Sequence, residues 1–167
     1  MADATSGEYF AAPKPNPKLK DLNFLVGKWK LTGNFRATDY GPAGTIEGED
    51  TFEWFNEYFL KHTWKQPLGT GMEFLGYEED EEENSIVTHY FDNNGPYSRN
   101  GGSIYRGEMR NKSYVQCGPA RITYTPSEDG KVVKYTAEMS VDGKSHGLDA
   151  PDSAWAKWLE ATYTKID

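Results

Sequence analysis

The chain has 167 residues, the length of one domain with a core large enough to need no metal or disulfide staple. Lys and Arg number 18 against 26 Asp and Glu, a formal net charge of −8, which excludes a general binder of nucleic-acid backbones because those need a basic face. The single cysteine, Cys117, excludes an internal disulfide framework and a cysteine-based zinc cluster.

In chain order, residues 1–17 read as a disordered tail: Pro13, Pro15 and Pro17 alternate with polar residues and deny it helix and ladder alike. No apolar run of signal-peptide or membrane-span length follows, so the expected setting is cytoplasmic, with no membrane partner. Residues 18–167 are expected to form one β-barrel domain. It opens with one or two helical turns carrying Leu19, Leu22, Leu25 and Val26 on one face and stopped at Gly27. From Gly27 the hydrophobic period becomes two. GKWKLTGNF, TIEGEDTFEWF, EYFLKHTWKQ, GMEFLGYE, SIVTHYFD, GSIYRGEMR, SYVQC, ARITYT, KVVKYTAEMS and WAKWLEATYTKI follow, separated by short turn signals such as Asp129-Gly130 and Asp142-Gly143. About ten strand candidates with no helix between them predict an all-β, up-and-down antiparallel barrel, closed by pairing the last strand with the first, with the helical segment as a plug. The acidic run Glu78–Glu83 reads as a solvated hairpin turn, since calcium sites need spaced oxygens.

Alternation then assigns faces. Ile46, Gly48, Asp50, Phe52 and Trp54 form the charge-poor set of the second strand, and Tyr58, Leu60, His62, Trp64 and Gln66 that of the third. Both should point inward, giving an aromatic interior with polar tips. Val133, Tyr135, Ala137 and Met139 should point inward from the ninth. In the last strand Lys157 and Lys165 favour Trp158 and Glu160 as the inner residues, while His89 and Tyr90 compete for the inside of SIVTHYFD.

LNFLVGKWKLTG, THYFDNNGPY and WLEATYTKI together resemble a large bacterial family of uncharacterised lipocalin-like proteins. The resemblance implies a calycin-type barrel with an internal cavity and no defined reaction. The first and last strands are more distantly similar to those of nitrobindins, haem barrels whose iron ligand is a histidine on the closing strand. Here that stretch, Trp158 to Tyr163, has no histidine, so the similarity carries no haem ligand across.

Four residues are candidate acid–base groups. His62 sits on the better-defined inner face, where an aromatic environment can tune an imidazole; a satisfied core histidine is the plainer reading. His89 precedes Asp92, which orients an imidazole if the strand end turns inward, or else builds the Asx-Gly turn at Asn94-Gly95. Glu160, like Asp50, is either a buried proton donor or one half of an ion pair with Arg121. Expected ligand contacts are Asp50, Phe52, Trp54, Tyr58, Trp64, Tyr90, Tyr135, Met139 and Trp158. Trp54, Trp64, Trp155 and Trp158 would either stack on a flat ligand or wedge the core, and the polar loop Gly147–Ser153 would lid the cavity. Three histidines in all, with no metalloprotease, P-loop, dinucleotide or serine-hydrolase motif, lead to an expectation of no metal and no cofactor. The expected partner is a small, largely apolar, aromatic or polycyclic molecule. The alternatives are a cofactor-independent isomerase, cyclase or lyase in the same cavity, and a haem protein of nitrobindin type.

Overall fold

A computed structural model describes residues 14–38, 41–79, 84–93 and 103–166. The expected tail, the acidic run beyond Glu79 and the Asn94-Gly95-Pro96-Tyr97 turn therefore lie wholly or mostly outside the described residues.

The N-terminal helical segment is a 3-10 helix, Pro17–Leu25, rather than an α-helix. Leu19, Leu22 and Leu25 recur every third residue, which lines up one face of a helix with three residues per turn. All three are buried. Pro17 lies in its first turn, and the Asn16 side chain caps it by accepting from the Lys18 amide at 2.9 Å. Gly27 then takes a positive φ of 137°, and the chain enters the sheet.

Ten antiparallel strands follow: β1 (Gly27–Phe35), β2 (Gly44–Trp54), β3 (Leu60–Gln66), β4 (Gly69–Glu79), β5 (Asn84–Asp92), β6 (Ile104–Arg110), β7 (Ser113–Cys117), β8 (Ala120–Pro126), β9 (Val132–Ser140) and β10 (Trp155–Lys165). Each pairs with its sequence neighbours, and β10 pairs with β1, so the sheet closes into a barrel with no free edge. The β1–β10 seam is tight at Gly33, where a β-carbon would run into Ala161 and the Glu160 carbonyl. Trp29, buried at the start of β1, donates its indole N–H to the Leu25 carbonyl at 2.6 Å and so pins the 3-10 helix to one end of the barrel. Trp54 reaches the same end, donating to the Asn23 side chain at 3.0 Å. Among the described residues no helix is long and apolar enough to cross a membrane.

β2, β3 and β9 present the faces that alternation assigns to the interior. β10 departs from its expected face, for a specific reason. A β-bulge between Lys157 and Leu159 shifts its register against β9. Beyond the bulge Leu159, Ala161 and Tyr163 are buried inward and Glu160 is exposed, but Trp158, at the bulge, still reaches the cavity. β4 also defeats a simple apolar count. Met72 and Phe74 point out, where Met72 pairs with Phe91 and Phe74 with His89 across β5. With Ile104 beyond them, this outer surface leaves Met72 43%, Phe91 49% and Ile104 55% exposed.

Candidate functional site

The barrel end opposite the 3-10 helix is open and leads into a cavity of about 1050 Å³. Its walls carry the aromatic rings of Trp64, Tyr90, Tyr105, Tyr124, Tyr135 and Trp158 among aliphatic side chains such as Leu31, Ile122 and Leu159. Trp64 and Tyr90 are stacked, with ring centroids 5.0 Å apart. A shallower depression of about 680 Å³ lies on the outer wall over β1, β2, β9 and β10.

Deep in the cavity, His62 lies between two carboxylates. Its Nε2 is 3.0 Å from Asp50 Oδ2 and its Nδ1 is 2.9 Å from Glu73 Oε1. The residues are 5%, 1% and 2% exposed respectively, so the cluster is desolvated. Sheet register builds it: His62 faces Glu73 across the β3–β4 ladder, and Asp50 stands two pairs further along the β2–β3 ladder, opposite Trp64. Asp50 also accepts from Tyr163 Oη at 2.6 Å and from Gln66 Nε2 at 2.8 Å. Beneath the cluster, Phe52 stacks on the imidazole with centroids 3.8 Å apart and planes within 8°.

This arrangement fixes the charge state of the imidazole. Burial alone pushes its pKa down, because the charged form loses water, but the hydrogen bonds to Asp50 and Glu73, with their charges, outweigh that and raise it to about 9. His62 is thus an imidazolium at neutral pH with both N–H groups committed to carboxylates. Burial pushes the Tyr105, Tyr124 and Tyr135 phenols upward, and they stay neutral.

The expected site residues divide accordingly. Asp50, His62, Trp64, Tyr90, Asp92, Tyr135, Met139 and Trp158 line the cavity, with Tyr90 Oη 3.5 Å from Asp92. Phe52 supports the imidazole from below. Trp54 belongs to the plugged end, under the Lys20 ammonium at 3.9 Å, and Tyr58 lies in the β2–β3 connection. His89 pairs with outward-facing Phe74, on the opposite strand face from Tyr90 and Asp92, so the expected His89–Asp92 partnership does not form. Glu160 is on the outer surface, 3.4 Å from Lys157 Nζ. Arg121 meets neither Asp50 nor Glu160; it pairs outside with Glu138 at 2.6 Å and Asp152 at 2.7 Å.

The Gly147–Ser153 stretch does not cover the mouth. Leu148, Ala150 and Ala154 pack over Val115, Cys117 and Trp155 on the outer wall, and there burial pushes the Cys117 thiol up to about 11. The mouth is bordered instead by Ser140 to Gly143. Among the described residues, no three His, Cys, Asp or Glu side chains are arranged to hold a metal ion.

Glu73 is the member of the buried cluster that alternation alone passes over. The signal for it is the two-residue hairpin Pro67-Leu68, which pairs Gln66 with Gly69. Read as a tight turn, that spacing brings residue 73 opposite residue 62.

No family model matches the chain, and no curated protein matches it in sequence. Among solved structures, the crystal structure of Rv2717c from M. tuberculosis is similar with a TM-score of 0.56 at 13% identity, over 92% of this chain and 99% of that one. EF1p2_mFAP2b bound to DFHBI is similar with a TM-score of 0.37 at 16% identity, over 89% of this chain and 98% of that one. The redesigned β barrel b11L5F_LGL gives a TM-score of 0.33 at 12% identity, over 89% and 96%. At these identities the likeness to Rv2717c extends to the fold alone. The chain is therefore defined as a closed ten-stranded antiparallel barrel with an aromatic cavity and a charged floor.

Proposed function

We propose that this barrel binds a small, flat, aromatic molecule in its cavity, in the manner of a calycin-type carrier, with the Asp50–His62–Glu73 cluster as the polar anchor. The observation that carries this reading is the cluster at the bottom of an open, aromatic-walled space. A core filled only for stability has no use for two desolvated carboxylates beneath an aromatic cavity of ligand size. Trp64, Tyr90, Tyr135 and Trp158 offer stacking faces, and Met139 an adaptable apolar contact.

One observation favours a second reading, a cofactor-independent isomerase, cyclase or lyase. Glu73 uses only Oε1 toward His62, and among the described residues nothing bonds its Oε2. A carboxylate held this way at the floor of a cavity is a proton acceptor for a bound carbon acid. His62, already protonated and doubly bonded, positions that carboxylate. Haem ligation of nitrobindin type is not favoured, because both His62 nitrogens are engaged and the buried residues of β10 near its end are Ala161 and Tyr163.

Titration of the protein with acridone, a neutral tricyclic, followed by tryptophan fluorescence, tests the binding reading. Saturable quenching that weakens about tenfold in Trp64→Leu is expected, in line with loss of an aromatic face. Absence of saturable binding in the wild type would sink the reading.

A further inference from the structure

We propose that the cavity selects cationic aromatic ligands that carry an N–H donor, and rejects anions. The inference rests on the binding reading above and names the ligand's charge and polarity.

It begins with the donors and acceptors at the floor. His62 gives one N–H to Asp50 and the other to Glu73, and Tyr163 and Gln66 both donate to Asp50, so the second amide N–H of Gln66 is the donor that remains in this cluster. Asp50 Oδ2 is thereby fully engaged. The acceptor left over is Glu73 Oε2, on a carboxylate that lines the cavity while only 2% exposed. A ligand carboxylate or phosphate would find only the second amide N–H of Gln66 as a donor at this cluster and would meet a like charge at Glu73. A ligand N–H would complete the coordination of Glu73 with a charge-assisted bond.

Charge adds to this. The floor holds two carboxylates and one imidazolium, a residue of one negative charge. Asp142 also lines the space nearer the mouth, and among the described residues no Lys or Arg does. In a desolvated site that imbalance is screened less than on a surface. The Trp and Tyr rings that line the space add aromatic surface that suits a cation. The neutral phenols of Tyr105, Tyr124 and Tyr135 offer hydroxyls of either hydrogen-bonding sense and leave the preference to Glu73.

Isothermal titration with three acridines of similar shape tests this: 9-aminoacridine as the cation, acridone as the neutral compound and acridine-9-carboxylate as the anion. The cation should bind about tenfold or more tighter than acridone, and the carboxylate should not bind measurably. In Glu73→Gln, which keeps an acceptor but removes the charge, the affinity of the cation should fall more than that of acridone, so that its advantage shrinks to about threefold or less. If Glu73→Gln does not fold, as judged by circular dichroism, the wild-type ranking decides alone. Equal affinity for all three, or preference for the anion, would overturn the charge inference while leaving the binding reading intact. No binding of any of the three would remove both.

Discussion

The protonated state of His62 couples stability to pH, and the size of the effect follows from the structure. The imidazole pKa rises from 6.5 to about 9 on folding. A folded-state pKa above the unfolded value means that the native protein holds the proton more tightly. The stabilisation is therefore complete below about pH 6.5 and is lost as pH climbs through about 9. At about 1.4 kcal/mol per pH unit, the full effect is about 3 kcal/mol, a large share of the stability of a domain this size. Urea denaturation at a series of pH values measures it, with His62→Gln as the reference. Between about pH 6 and about pH 8.5 the wild type should lose about 2 kcal/mol, and the variant should change little. The window has to close there, because the Cys117 thiol, pushed up to about 11 by burial, adds a similar decline at higher pH. A wild-type stability that is flat or rising across the window would refute an imidazolium held between Asp50 and Glu73.

Other expectations concern the supports of the site. Tyr163→Phe removes the 2.6 Å hydrogen bond to Asp50 without changing ring volume, and should cost about 2 kcal/mol in urea unfolding, the range for a bond to a charged group. Leu22→Ala hollows the contact between the 3-10 helix and the barrel where Leu22 is fully buried, and should cost about 3 kcal/mol by the same assay. Because the cavity opens at the other end, it should leave acridone affinity within about twofold. A large affinity loss at unchanged fold would show that the plugged end shapes the cavity.

The barrel was legible in the chain because period-two patterning and turn chemistry agree along nearly its whole length. WLEATYTKI pairing back onto GKWKLTGNF follows once ten strands must hide their edges. The inner faces of β2 and β3 were equally plain, since Glu47, Glu49, Glu53, Lys61 and Lys65 all fall on the opposite parity, and this placed Asp50, His62, Trp64 and Gln66 together.

The rest depended on register, which local pattern does not encode. The bulge at Trp158 turns the remainder of β10 over, so the lysine argument that put Glu160 inside fails past that point. On β4 the apolar residues Met72 and Phe74 point outward and Glu73 inward, the reverse of a hydrophobicity count, because the Pro67-Leu68 hairpin fixes their parity. His89 follows from the same pairing: once Glu73 faces in, its partner Tyr90 does too, and His89 faces out with Phe74. The apolar spacing of the N-terminal segment marks it as a plug, and the strict interval of three between Leu19, Leu22 and Leu25 belongs to a 3-10 helix.

The central claim is that a ligand occupies the barrel interior above the Asp50–His62–Glu73 floor, and a filled cavity tests it most directly. Ala137 is buried and lines the cavity, so Ala137→Trp should occupy the space with its own indole. Isothermal titration of acridone into the wild type and this variant, each shown folded by circular dichroism, gives the comparison. The account predicts binding to the wild type and a loss of about tenfold or more in the variant. Equal affinity in the two proteins would place the ligand elsewhere and contradict it.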